Sequence, residues 1–176
     1  MTVALTSIKI STDFDSGNIQ VLDASDAYQL LLAINPDTRS DHYQWFHFKA
    51  EGMHVGHTHT FRLSNAGRSS YKHAWSGYNA VASYDHINWF RVPTRFDGEI
   101  LHITLQTRQK HVWFAYFEPY SRERHDWLIE QALKYAGVTL LATGKSAEGR
   151  DIQLLRRGKG IEGRRKVWII AQQHPG

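Results

Sequence analysis

Between Ile8 and Phe117 the chain alternates apolar and polar residues in short runs separated by turn residues, the period of half-buried strands. Runs at 8–14 and 18–22 flank Asp15-Ser16-Gly17, which reads as a hairpin turn. A third run, 28–34, closes at Asn35-Pro36-Asp37. In 43–49, Phe46 and Phe48 share one face while Tyr43, Trp45 and His47 share the other. The run 58–63 places Phe61 and Leu63 opposite Arg62, and 69–79 has no clear period. Runs at 81–84 and 88–92 follow. Phe96-Asp97-Gly98 then turns the chain into 99–106, where Leu101, Ile103 and Leu105 alternate with His102, Thr104 and Gln106. An aromatic run at 111–117 completes eight or nine strands with no helix between them, the pattern of an antiparallel sandwich.

The pattern changes at Glu118-Pro119-Tyr120. Ser121 is placed to cap a helix with Glu123 and Arg124 in its first turn, and Gly137 is placed to end it. A strand is expected at 152–155. Val167 to Ala171 is an unbroken apolar run, too short for a helix core, and predicts a strand buried on both faces in a parallel sheet. The fold class is therefore mainly β: an antiparallel sandwich over residues 1–119, then the first helix and strands of an α/β domain over 120–176. His174 stands just past the carboxyl end of the last strand, in a Pro-Gly turn, at the edge where open α/β sheets gather ligands.

Composition narrows the chemistry. The 176 residues suffice for one ordinary domain or a small domain plus part of another. No cysteine is present, which excludes disulfides and thiolate chemistry. No basic-then-apolar leader opens the chain and no apolar stretch reaches membrane-spanning length, so a cytoplasmic protein without membrane partners is expected. The net charge is +4, with Arg156, Arg157, Lys159, Arg164, Arg165 and Lys166 clustered late. A solvated connection explains that cluster better than a nucleic-acid patch.

Other motifs compete less well. His54, His57 and His59 form a possible imidazole metal cluster, yet no carboxylate follows to complete it, and these histidines are expected to be solvated at a strand edge. Gly144-Lys145-Ser146 lacks the glycine a phosphate loop needs at position 139, where Thr139 stands. No paired acid–base carboxylates and no Gly-x-Ser-x-Gly elbow occur. Exposed Trp45, Trp75 and Trp89 would instead suit a carbohydrate- or nucleic-acid-binding sandwich that stacks its ligand.

A resemblance decides between these readings. Gly144-Lys145-Ser146-Ala147-Glu148-Gly149-Arg150, then two strands, then His174-Pro175-Gly176 resembles the opening of the catalytic domain in zinc carboxypeptidases of the carboxypeptidase A type. There a Gly-x-Ser-x-Glu-Gly-Arg segment precedes His-x-x-Glu, whose His and Glu bind zinc; the cytosolic carboxypeptidase branch reads His-Pro-Gly-Glu. Trp45-Phe46-His47-Phe48, Thr60-Phe61-Arg62-Leu63-Ser64-Asn65 and Val112-Trp113-Phe114-Ala115-Tyr116-Phe117 with Pro119-Tyr120 are similar to that branch's amino-terminal sandwich. The resemblance implies a metallocarboxypeptidase, a hydrolase acting on peptide or protein C-termini, including acidic ones. It implies one zinc ion with His174 as its first ligand. The remaining ligands and the catalytic groups would lie beyond Gly176, so the chain is expected to be a fragment, inactive alone.

Overall fold

The computed structural model describes residues 7–159, 163 and 165–170. The chain divides into two compact units, one running to Pro119 and the other starting at Tyr120. The first holds two five-stranded sheets. One contains β1 (Lys9–Ser11), β4 (His47–Glu51), β10 (His111–Ala115), β6 (Val81–Ser83) and β7 (Trp89–Arg91), adjacent in that order. The other contains β2 (Gln20–Asp23), β3 (Gln29–Ala33), β5 (Thr58–Leu63), β9 (Leu101–Gln106) and β8 (Thr94–Phe96). Pairing is antiparallel except between β3 and β5, which run parallel with Leu30 opposite Phe61.

Alternation makes the sandwich. Phe48 of β4 and Phe114 of β10 point inward from the first sheet and meet Phe61 of β5 from the second. Their ring centres lie 5.4 Å (Phe48–Phe61), 4.6 Å (Phe61–Phe114) and 5.2 Å (Phe48–Phe114) apart, within the range of favourable aromatic pairs. Leu30, Leu32, Leu63, Leu101 and Ile103 complete this core. Asn65, last residue of the Thr-Phe-Arg-Leu-Ser-Asn motif, closes the parallel pair. Its side chain accepts from the Ile34 N–H and donates to the Ile34 carbonyl, both at 2.9 Å.

The hairpin expected at 8–22 does not form. β1 pairs with β4 and β2 with β3, so Asp15-Ser16-Gly17 carries the chain from one sheet to the other. Ile8 and Ile19 each reach the shared core from opposite sheets, which a flat two-stranded ribbon would not permit. The run 43–49 also enters its strand late, at His47. Ahead of it the side chains bond to loops instead: Tyr43 Oη donates to the Arg68 carbonyl, and Gln44 Oε1 accepts from Tyr71 N. Trp75, expected on the surface, is 1% exposed, with its indole N–H donating to Ser69 Oγ and the Ala66 carbonyl.

The second unit opens with α1 (Arg122–Leu133), capped by Ser121, whose hydroxyl accepts from Arg124 N at 3.3 Å. Gly137, at φ +80°, lets the chain leave it. Next come β11 (Val138–Lys145) and β12 (Asp151–Arg157), an antiparallel pair with a bulge between Leu140 and Ala142. β11 has no counterpart in the sequence reading. Residues 165–170 have no regular structure, and Val167, Trp168, Ile169 and Ile170 are 72–89% exposed, so the expected buried strand is not formed. A central parallel strand needs a neighbour on each side. The described residues of this unit offer only the antiparallel β11–β12 pair.

Candidate functional site

The Gly-Lys-Ser-Ala-Glu-Gly-Arg segment is the β11–β12 turn. Ser146 N donates to the Arg150 carbonyl (2.8 Å), Gly149 N to the Ser146 carbonyl (2.9 Å), and Arg150 N to Ser146 Oγ (3.0 Å). Gly149 lies at φ +77°, a conformation that costs other residues about 1–2 kcal/mol. The Ser and second Gly of the motif are thus explained by the turn itself, and a Lys145–Asp151 ion pair closes its mouth. Behind it, His125 Nε2 on α1 meets Gln153 Oε1 on β12 at 2.8 Å. His174 lies outside the described residues. Among the described residues no group of three His, Cys, Asp or Glu side chains could hold a metal, so the three-ligand zinc shell that the resemblance implies is not found among them.

His54, His57 and His59 do not make a metal cluster either. His59 is fully buried rather than solvated at an edge. Its Nδ1 sits 2.8 Å from the Ala27 carbonyl and so carries the proton, which leaves Nε2 to accept from His54 N at 3.2 Å. The ring is a strut joining two backbone segments. His54 Nδ1 is held by Tyr28 Oη at 2.9 Å, and His57 Nδ1 faces the Val55 carbonyl at 3.3 Å. Tyr28 fills the space between the rings, 5.3–5.7 Å from each centre.

A second histidine centre was not legible in the sequence. His47, on the outward face of β4, is nonetheless fully buried, under Phe14, Trp45 and Trp89. Its Nδ1 is 3.0 Å from Ser16 Oγ and its Nε2 is 3.2 Å from Nε2 of His86. Burial, reinforced by the neighbouring His86 and partly offset by Asp15, lowers the His47 pKa to about 3, so its ring is neutral at physiological pH. Ser16 (φ +63°) and His86 (φ +64°) are the non-glycine residues with positive φ among those described, and both contact His47. Strained backbone at two points around one side chain marks an over-determined site. The partners stand 31 and 39 residues from His47, so no local spacing could have revealed them.

A unit of two five-stranded sheets, followed by a helix and an antiparallel strand pair joined by a Gly-x-Ser-x-Glu-Gly-Arg turn, defines a mainly β sandwich protein. Residues 10–117 match the family described as the cytosolic carboxypeptidase N-terminal domain, and the chain belongs to that family. A metallo-carboxypeptidase from Pseudomonas aeruginosa, solved with (2-guanidinoethylmercapto)succinic acid, is 58% identical, with a TM-score of 0.90 over 95% of this chain and 44% of that one. A metallo-carboxypeptidase from Burkholderia cenocepacia is 34% identical, TM-score 0.84, over 91% and 42%. Cytosolic carboxypeptidase 1 of Xenopus laevis is 30% identical over 95 residues, 49% of this chain and 8% of that protein. An uncharacterized protein of Zymomonas mobilis is 38% identical over 96% of this chain and 43% of its own length. The chain thus spans less than half the length of each of these relatives. The family and the mainly β sandwich expected from the motifs are borne out.

Proposed function

We propose that this chain is the amino-terminal sandwich and the opening of the catalytic domain of a zinc carboxypeptidase. His174 supplies one nitrogen donor to the metal, and residues 1–119 and 120–176 form the two domains. The likeness to the Pseudomonas metallo-carboxypeptidase, which runs through both units at 58% identity, is the observation that carries this reading. The second unit supports it. No residue of α1 is buried, and Trp127, Leu128, Leu140, Leu141, Ile152 and Leu154 are exposed, an apolar surface suited to further chain packing against it. Among the described residues no helix is long and apolar enough to cross a membrane, and a cytoplasmic location is proposed from the family. The substrates proposed are peptide or protein C-termini, acidic ones included. The exposed Arg156, Arg157, Lys159, Arg165 and Lys166 favour an acidic chain near this unit.

Incubating the complete protein with peptides ending in Glu, Ala or Lys, followed by mass spectrometry, tests this. Loss of single C-terminal residues is expected, fastest from Glu, together with about one zinc per chain. His174→Ala should abolish cleavage and lower zinc content, while the 176-residue chain alone should be inactive. Internal cleavage, or full activity in His174→Ala, would overturn the assignment.

A further inference from the structure

The His47 centre lies in the first unit and serves no step of the proposed peptidase. Two loops bring it together. In one, Ser16 presents its hydroxyl to His47 Nδ1. In the other, Asp85 Oδ1 accepts from the N–H groups of Ile87 (2.9 Å) and Asn88 (2.7 Å), and Ser83 Oγ accepts from His86 N at 2.9 Å. This fixes His86 in its left-handed conformation. Its ring then stacks on Trp113, at 5.2 Å and 15°, and Trp113 is held from β4 by Lys49. Two constraints, one on the backbone and one on the ring, therefore aim His86 Nε2 at His47 Nε2.

We propose that His47 and His86 form a two-imidazole site for a late first-row divalent metal ion of the copper or zinc class. Two imidazole nitrogens each about 2.05 Å from one tetrahedral ion stand about 3.3 Å apart, with ring centres about 5 Å apart. The observed separations are 3.2 Å and 5.1 Å. A straight N–H···N bond of the same length would put the centres about 5.5 Å apart. The contact between the two rings is therefore bent rather than straight. Ser16 Oγ, 3.0 Å from Nδ1, holds the His47 ring in place from behind, as outer partners of metal-bound histidines do. His86 is exposed, so the ion has a path in and water can fill its remaining positions. Imidazole suits copper and zinc, and copper binds tighter.

Titrating the 176-residue chain with Cu2+ while recording tryptophan fluorescence tests the proposal, because Trp113, Trp89 and Trp45 ring the site. Quenching that saturates at one equivalent and is reversed by excess EDTA is expected. His86→Ala, at an exposed position that thermal melting should show to be folded, should weaken binding at least 10-fold, and Ser16→Ala about 10-fold. His174→Ala and His57→Ala should leave binding unchanged. Affinity within twofold of the parent in His86→Ala, quenching that never saturates at one equivalent, or loss of the site in His174→Ala would each overturn it.

Discussion

Replacing His59 by alanine separates two views of the Met53–His59 segment. As a solvated edge residue, His59 would be worth less than about 0.5 kcal/mol. In the structure it is fully buried, and its ring joins the Ala27 carbonyl to the His54 N–H. His59→Ala leaves both backbone groups without a partner away from water. At about 1–3 kcal/mol each, the two losses sum to about 4 kcal/mol, before any cavity term. For a chain of this length about 3 °C of melting temperature accompanies each kcal/mol, so the midpoint should drop by about 12 °C. His59→Asn places an amide nitrogen near the Nδ1 position and should recover about half of that. His57→Ala, at an exposed position, should melt with the parent. Thermal melting followed by circular dichroism at pH 7 reads all three. If His59→Ala melts within about 1.5 °C of His57→Ala, about the scatter of neutral surface changes, the strut does not carry the fold and the reasoning fails.

Three further outcomes follow from other parts of the fold. Residues 1–119, expressed alone, should give a β-type circular dichroism spectrum and one cooperative melt; a disordered product would refute the boundary. Gly67→Ala should cost about 2 kcal/mol or more, because its Cβ would stand 2.7 Å from Glu99 Cα and 2.8 Å from the Gly98 carbonyl oxygen. Urea unfolding against the parent measures this, and a neutral result would mean the 98–99 turn is displaced. The backbone N–H of Ile100 first, then the His102 side chain, hold the Asp97 carboxyl well below the usual range. Its folded pKa is depressed, so its contribution to stability is present above about pH 4, the unfolded value, and is lost as pH falls toward the folded value. Asp97→Asn should therefore flatten the acid side of the melting-temperature profile below pH 4, and an unchanged slope there would exclude the effect.

Much of the sandwich could be read because burial on one face imposes a period of two. The inward sets Phe46/Phe48, Phe61/Leu63 and Leu101/Ile103/Leu105 follow from alternation alone. Pairing could not, since strand partners are chosen by the whole sheet. The local turn Asp15-Ser16-Gly17 suggested a ribbon, but two isoleucines pulled its arms into different sheets. β11 escaped notice because Val138-Thr139-Leu140-Leu141-Ala142-Thr143-Gly144 neither alternates nor avoids glycine, and most of its residues stay exposed. His59 and His47 looked like surface residues because histidine on a strand carries no sign of burial. Their backbone and side-chain partners are set by loops distant in sequence. The motif around Gly149 was legible because its turn is local, whereas the Ser16–His47–His86 contacts are not.

The strand order also governs when the sandwich can close during synthesis. β10, the last strand of the unit, lies at the centre of its sheet and separates β4 from β6. β9, nearly as late, stands between β5 and β8. A nascent chain that has reached β8 therefore carries four open strand edges with nothing to pair them. At about 5–20 residues per second those edges stay bare for seconds, a standing invitation to pair with another chain. Pairings this distant in sequence also fold slowly once complete. A truncation that removes His111–Ala115 would thus take out the middle of a sheet, and the damage would spread back through strands made long before.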